Sequence, residues 1–125
     1  RLSLRGVLTH AGEAYHCRGA AALRAHAEQE RSRCLQAAEV LREAGVDCPE
    51  VSVGSTPTAL AAGSLDGVTE LRAGVYVFQD LYQAGLGVCD IEDIALSVLT
   101  TVIGHKRSHR LGGRRTAEER AILRR

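Results

Sequence analysis

Three short runs in this sequence bring together residue types that can hold a small phosphorylated ligand. The first is Gly54-Ser55-Thr56-Pro57-Thr58. Glycine permits close backbone approach, and hydroxyls beside a helix start offer O–H and N–H donors to a phosphate. The same run also reads as an ordinary helix start, with Thr56 as cap and Pro57 as first helical residue. It is neither a Walker loop nor a dinucleotide fingerprint. The second run is Glu70-Leu71-Arg72-Ala73-Gly74-Val75-Tyr76. Here Gly74 and Val75 are candidate backbone donors to the same phosphate; the alternative is a strand-end turn with a solvated Arg72. The third is Thr9-His10-Ala11-Gly12 with Tyr15. His10 could lie against a flat ring and Tyr15 could donate to a phosphate or an oxyanion, although a lone His is more often hydrogen-bonded structure. Neither His10, His16 nor His26 falls in an HExxH or comparable metal set.

Each run follows a segment that reads as a strand. Gly6–His10 reads as a short buried strand, and Arg18–Ala44 as a long helix rich in Ala, Leu, Glu and Arg. Ala27, Cys34, Ala38 and Leu41 can share one face of that helix, and Gly45 is a natural stop. Val51–Val53 and Val68–Leu71 read as further strands, with an Ala-rich helical stretch between them. Ser97–Ile103 is β-branched and apolar and reads as another strand. Strand and helix alternate, which is the pattern of a parallel sheet or barrel. In a barrel the C-terminal strand ends converge on the active site, so the three weak motifs gain force together.

Composition sets limits on this reading. The 125 residues suffice for one modest domain, whereas a complete (β/α)₈ barrel needs roughly 250. Net charge is +1 with one Phe, three Tyr and no Trp, which disfavours an aromatic surface for stacking nucleic acid. From Gly104 onward eight basic residues face two acidic ones, so a basic tail is expected outside the folded domain. Cys17, Cys34, Cys48 and Cys89 are widely spaced with no CxxC pair, and read as reduced thiols in a cytoplasmic setting. No apolar stretch is long enough to span a membrane. The chain opens on Arg, so residues are expected to precede it.

The runs Val51-Ser52-Val53-Gly54-Ser55-Thr56-Pro57-Thr58 and Gly67-Val68-Thr69-Glu70-Leu71-Arg72-Ala73-Gly74-Val75-Tyr76-Val77-Phe78-Gln79-Asp80 resemble the D-serine dehydratase and D-threonine aldolase family. Thr9-His10-Ala11-Gly12-Glu13-Ala14-Tyr15 fits the preceding strand end of that family, and the resemblance spans about residues 5–104. It implies an α/β chain forming part of a (β/α)₈ barrel that binds pyridoxal 5'-phosphate (PLP), followed by the first strand of a β domain. The expected division is 1–89 for the C-terminal part of the barrel, 90–104 for the start of the β domain, and 105–125 for a basic tail, disordered or aberrant. The resemblance implies Tyr15 and Thr56 as ligands in the cofactor phosphate region and Gly74 and Val75 as backbone phosphate donors. His10 takes the position beside the pyridine ring, and Ser55 and Arg72 are added as further candidates.

Departures from the family pattern are visible. The family usually has Tyr at the position of Leu8, Pro at Ala73 and Asn at Val75. Loss of the Tyr removes a polar contact to the cofactor, while Val75 retains its N–H. The family's Schiff-base lysine lies before the region present here; the sole lysine, Lys106, sits in the basic tail, where the resemblance stops. The zinc-binding His and Cys of the family lie beyond Ile103, so no metal ligand is expected in this chain. The implied activity of the complete enzyme is conversion of D-serine to pyruvate and ammonia. A D-threonine aldolase and a non-catalytic truncated isoform are the alternatives. This chain alone is expected to be inactive, and a possible homodimer belongs to the complete enzyme. A small D-amino acid is the expected partner, with no membrane or nucleic acid.

Overall fold

Short apolar runs alternate with Ala-rich stretches, and in the computed structural model, which describes residues 2–101, they form three strands separated by helices. Strand β1 is Gly6–Leu8, β2 is Glu50–Val53 and β3 is Glu70–Leu71. They pair in parallel in the order β1-β2-β3, with Val7 opposite Val51 and Ser52 opposite Glu70. Helix α1, Ala20–Glu43, crosses from β1 to β2, and α2, Thr56–Ala61, begins the crossover to β3. A further helix, α3, runs over Leu81–Leu86, and single 3₁₀ turns occupy Gly12–His16, Val75–Val77 and Ile91–Asp93.

Side chains alternate across a strand, which explains the two faces of this sheet. Val51 and Val53 point toward α1 and join Cys34, Ala38 and Cys48 in the core, with Val7, Leu35, Leu41 and Val68 packed against them. The other face carries Leu8, Ser52 and Glu70, which share a register row. Helix α1 ends as the sequence predicts. Gly45 adopts φ +75°, its N–H reaches Arg42 O at 2.9 Å, and Val46 N–H reaches Leu41 O at 2.9 Å. This paired closure needs a left-handed residue, which glycine supplies without a Cβ clash.

Three expected elements differ. The first and third strands are shorter than their apolar runs. Thr9 still donates to Ser52 O, and Thr69 to Val51 O, but pairing stops there because the chain turns into loops. The strand expected over residues 97–103 is not formed at 97–101. Leu96, Val98 and Leu99 are highly exposed, and among the described residues no strand pairs with this stretch. β-branched composition suits a half-buried pleated surface and does not create one. Val102, Ile103 and the basic tail at 105–125 lie outside the described residues.

Candidate functional site

Parallel strands deliver their C-terminal ends to one edge of the sheet, so the residues following β1, β2 and β3 become neighbours. Hydrogen bonds lock these ends together. Thr9 N–H donates to Ser52 O at 3.0 Å, and Arg72 N–H to Val53 O at 2.8 Å. The Arg72 guanidinium lies across the polar face. Its Nε donates to Ser52 Oγ at 2.7 Å and a terminal nitrogen donates to Thr9 O. Ser52 Oγ donates in turn to the Glu70 carboxylate, which also sits 3.9 Å from Arg72 Nε. Arg72 is therefore a tie between all three strands, and not a solvated charge at a strand end.

His10 reaches from the β1 loop to the β2 loop, with Nδ1 2.8 Å from Gly54 O. A carbonyl can only accept, so Nδ1 carries a proton in this contact. The ring centroid of Tyr15 lies 6.2 Å from that of His10 at 31°, and 6.1 Å from that of Tyr82. The Tyr82 hydroxyl donates to Tyr15 O at 2.8 Å, which anchors the Gly12–His16 turn to α3. That turn also packs against α2, the helix that carries Thr56.

The β2 loop is closed by its own bonds. Gly54 has φ +138°, and a Cβ there would stand 2.8 Å from Arg72 N, so only glycine fits. Ser55, and not Thr56, caps α2. Its backbone is extended, its Oγ accepts from Thr58 N–H, and Thr58 Oγ1 accepts from Ser55 N–H at 3.2 Å. Thr56 and Pro57 thus become the first two helical residues. This reciprocal box commits the Ser55 hydroxyl to Thr58. Thr56 is placed differently: it is 2% exposed and its Oγ1 has no hydrogen-bond partner. A buried hydroxyl left in that state is unfavourable by about 1–3 kcal/mol, and it marks a place where a partner belongs.

The β3 loop is open. Val75–Val77 form a 3₁₀ turn preceded by Gly74, and the first N–H groups of such a turn have no partner within it. A Cβ at Gly74 would meet nothing within 4 Å, and Tyr76, Val77 and Phe78 are all about half exposed. The strand ends are thus joined at Thr9, Gly54 and Arg72. Among the described residues no hydrogen bond links Gly74 or Val75 to Thr56 or Tyr15.

One functional candidate escaped the sequence reading. Glu30 of α1 is buried and accepts hydrogen bonds from Ala11 N, Gly54 N and Thr58 Oγ1. Nearby, burial and then the Glu30 charge push the Cys34 thiol up from its ordinary value. No three His, Cys, Asp or Glu side chains converge as a metal site among the described residues. None of the described helices is long and apolar enough to cross a membrane.

This architecture defines a class: parallel α/β units that bind a ligand at the carboxyl ends of their strands. Within that class the chain belongs to the alanine racemase N-terminal domain family, whose model matches residues 1–81. It is similar to the D-threo-3-hydroxyaspartate dehydratase of Delftia sp. (strain HT23), with 66% identity over 105 residues, covering 84% of this chain and 28% of that protein. It is also similar to the D-serine dehydratase of Dictyostelium discoideum, with 33% identity over 103 residues, covering 79% of this chain and 26% of the relative. The solved structure of the Delftia protein superimposes with a TM-score of 0.80 at 67% identity, covering 82% of this chain and 27% of that one. A solved variant of the same protein is described as metal-free. An alanine-racemase-like protein from Idiomarina loihiensis gives a TM-score of 0.78 at 45% identity, with 82% and 27% covered. The chain therefore spans about a quarter of the length of these relatives, and its fold is a portion of theirs.

Proposed function

We propose that this chain supplies one side of a pyridoxal phosphate site in a dehydratase that removes water from a D-configured 3-hydroxy amino acid. The observation that carries the reading is the buried, unpartnered hydroxyl of Thr56 at the strand ends. Such an orphaned donor and acceptor fits a phosphate oxygen. The Thr56 hydroxyl and the Gly74 and Val75 N–H groups would hold the phosphate. Tyr15 would border it from the Gly12–His16 turn, and His10, fixed by Gly54 O, would lie beside the ring. Ser55 contributes through the cap that places Thr56, and Arg72 through the tie that holds the strand ends in register. When bound, the cofactor supplies an electron sink for the carbon that loses its proton. The chain's own residues bind and orient the cofactor. The resemblance puts the Schiff-base lysine before this segment, so the sole lysine, Lys106, would not serve as it.

Two substrates follow from the relatives. The family resemblance points to D-serine, but the 66% identity to the D-threo-3-hydroxyaspartate enzyme, against 33% to the D-serine enzyme, favours the hydroxydicarboxylic acid. Zinc belongs to the same reading for the complete protein; the residues described here do not form its ligand set. Residues 1–89 would belong to the barrel, and residues from 90 would lead to the β domain. The unpaired cysteines support a cytoplasmic setting. A homodimer of the complete chain remains part of the proposal.

The test uses the full-length protein that carries this segment. It is incubated with D-threo-3-hydroxyaspartate, D-serine and D-threonine, and 2-oxo acids, ammonia and glycine are measured. Ammonia with a dicarboxylic 2-oxo acid supports the favoured substrate, and pyruvate with ammonia supports D-serine. Glycine from D-threonine means an aldolase. No product from any of them, with no pyridoxyl adduct after borohydride reduction, overturns the proposal. The 125-residue chain alone is expected to release no 2-oxo acid.

A further inference from the structure

Helix α1 buries Leu23, Ala27, Cys34 and Ala38 along one stripe and interrupts it with a single carboxylate, Glu30, 7% exposed. A carboxylate on an apolar helix face is unfavourable unless hydrogen bonds compensate. Here Oε1 accepts from Ala11 N–H at 3.0 Å and Gly54 N–H at 3.1 Å, and Oε2 accepts from Thr58 Oγ1 at 2.7 Å. Three donors meet a group that only accepts, so the match is complete in kind.

The identity of the donors is informative. Ala11 follows His10 in the β1 loop. Gly54 opens the β2 loop, and its carbonyl is the group that holds His10. Thr58 closes the cap that sets Thr56 in place. One carboxylate thus fixes both loops against each other, although it touches neither the Thr56 hydroxyl nor the His10 ring. It also occupies the Gly54 N–H, while the cap occupies those of Ser55 and Thr58.

We propose that Glu30 is the positioning residue of the cofactor site: it holds the loops after β1 and β2 at the separation at which Thr56 Oγ1 and the His10 ring engage the phosphate and ring of one pyridoxal phosphate molecule. The inference rests on the cofactor reading given above. A residue that merely stabilised the helix would affect unfolding and leave cofactor affinity alone.

The experiment uses the apo form of the full-length protein carrying this segment, with Glu30→Ala, Glu30→Asp and Glu30→Gln, and with Leu23→Ala as a control on the same helix face. Pyridoxal phosphate and phosphate-free pyridoxal are titrated by absorbance, and Tm is recorded for each apoprotein. Glu30→Ala is expected to weaken pyridoxal phosphate binding about tenfold or more, with a smaller loss for pyridoxal, which has only the ring contact to lose. Glu30→Gln is expected to bind within about threefold of wild type, because the amide oxygen still accepts both N–H groups and the amide nitrogen can donate to Thr58 Oγ1. Leu23→Ala is expected to lower Tm without altering either affinity. An affinity unchanged in Glu30→Ala, or no rescue by Gln, overturns the inference. Should the Ala variant fail to fold, the Asp variant, shorter by one methylene, must bind more weakly than the Gln variant, and equal binding overturns the inference. A wild-type protein that binds no pyridoxal phosphate overturns the functional reading and this inference together. A wild type that binds, with indifferent variants, overturns this inference alone.

Discussion

Residues 51–58 are buried throughout, whereas residues 74–78 are exposed throughout, although both segments leave the same edge of the same sheet. The β2 end is held from several sides: by the cap, by Glu30, by His10 and by the close approach of Arg72. The β3 end leaves its first N–H groups available and has space around Gly74. On the proposed reading, a ligand site assembled from these two ends has one wall built in advance and one wall left open. The prepared wall would place the Thr56 hydroxyl, and the open wall would offer backbone donors that any residue type can supply. That reading tolerates a Val at position 75, where the resembling family has Asn.

The comparison is broken most directly at the two glycines. In the full-length protein, Gly54→Ala is expected to lower the unfolding free energy by about 3 kcal/mol, since strain at positive φ adds to a clash with Arg72 N. Gly74→Ala, with φ −108° and open space, is expected to change it by less than about 0.5 kcal/mol. Urea denaturation of both variants checks this, and equal losses would abolish the distinction between the walls.

The next contrast concerns the ligand. Thr56→Val deletes a hydroxyl that has no partner inside the protein, so the apoprotein keeps its stability or gains up to about 1 kcal/mol. Pyridoxal phosphate affinity is expected to fall about tenfold. Val75→Ala keeps its N–H, and its affinity is expected to stay within about twofold of wild type. Equilibrium titration of the two apoproteins separates a side-chain contact from a backbone contact.

The smallest effect is a pH dependence beneath the β2 wall. Burial, with Glu30 adding to it, raises the Cys34 thiol above its ordinary value of 9.0. The fold therefore favours the neutral thiol. Its contribution is fully present below the unfolded-chain value and is lost as pH rises through the folded value. Stability is expected to decline above about pH 9, and Cys34→Ala should flatten that decline in urea midpoints. A slope unaffected by the substitution would mean that another group is responsible.

Much of the prepared wall is legible in the sequence, because Gly54, Ser55, Thr56 and Pro57 each have strong local preferences at a helix start. The cap falls one residue earlier than the sequence suggests: Ser and Thr both serve as caps, and the extended backbone at Ser55 with its box to Thr58 decides between them. Glu30 was invisible for a different reason. A Glu in a helix that also holds Glu28, Glu39 and Glu43 reads as solvated. The seven-residue gap between Ala27 and Cys34 in the apolar stripe was the available signal, since Glu30 fills it at the helical spacing. Arg72 reads in the sequence either as a solvated charge or, through the resemblance, as a cofactor candidate; its tie to Thr9 after β1 and Ser52 on β2 spans 63 and 20 residues and leaves no local signal. Residues 97–101 show the converse: strand propensity is present, but among the described residues no strand pairs with it.

The β1-β2-β3 order also bears on how such a protein emerges from the ribosome. Each strand pairs with the one synthesised just before it, so the sheet can extend in the direction of translation. Strand β2 can dock on β1 once α1 is complete, without waiting for distant sequence. The free side of β3 is then the growing front of the sheet. Until a neighbour covers it, that front offers unpaired backbone groups to any extended chain nearby. A pause in synthesis just after β3 has formed would lengthen that exposure.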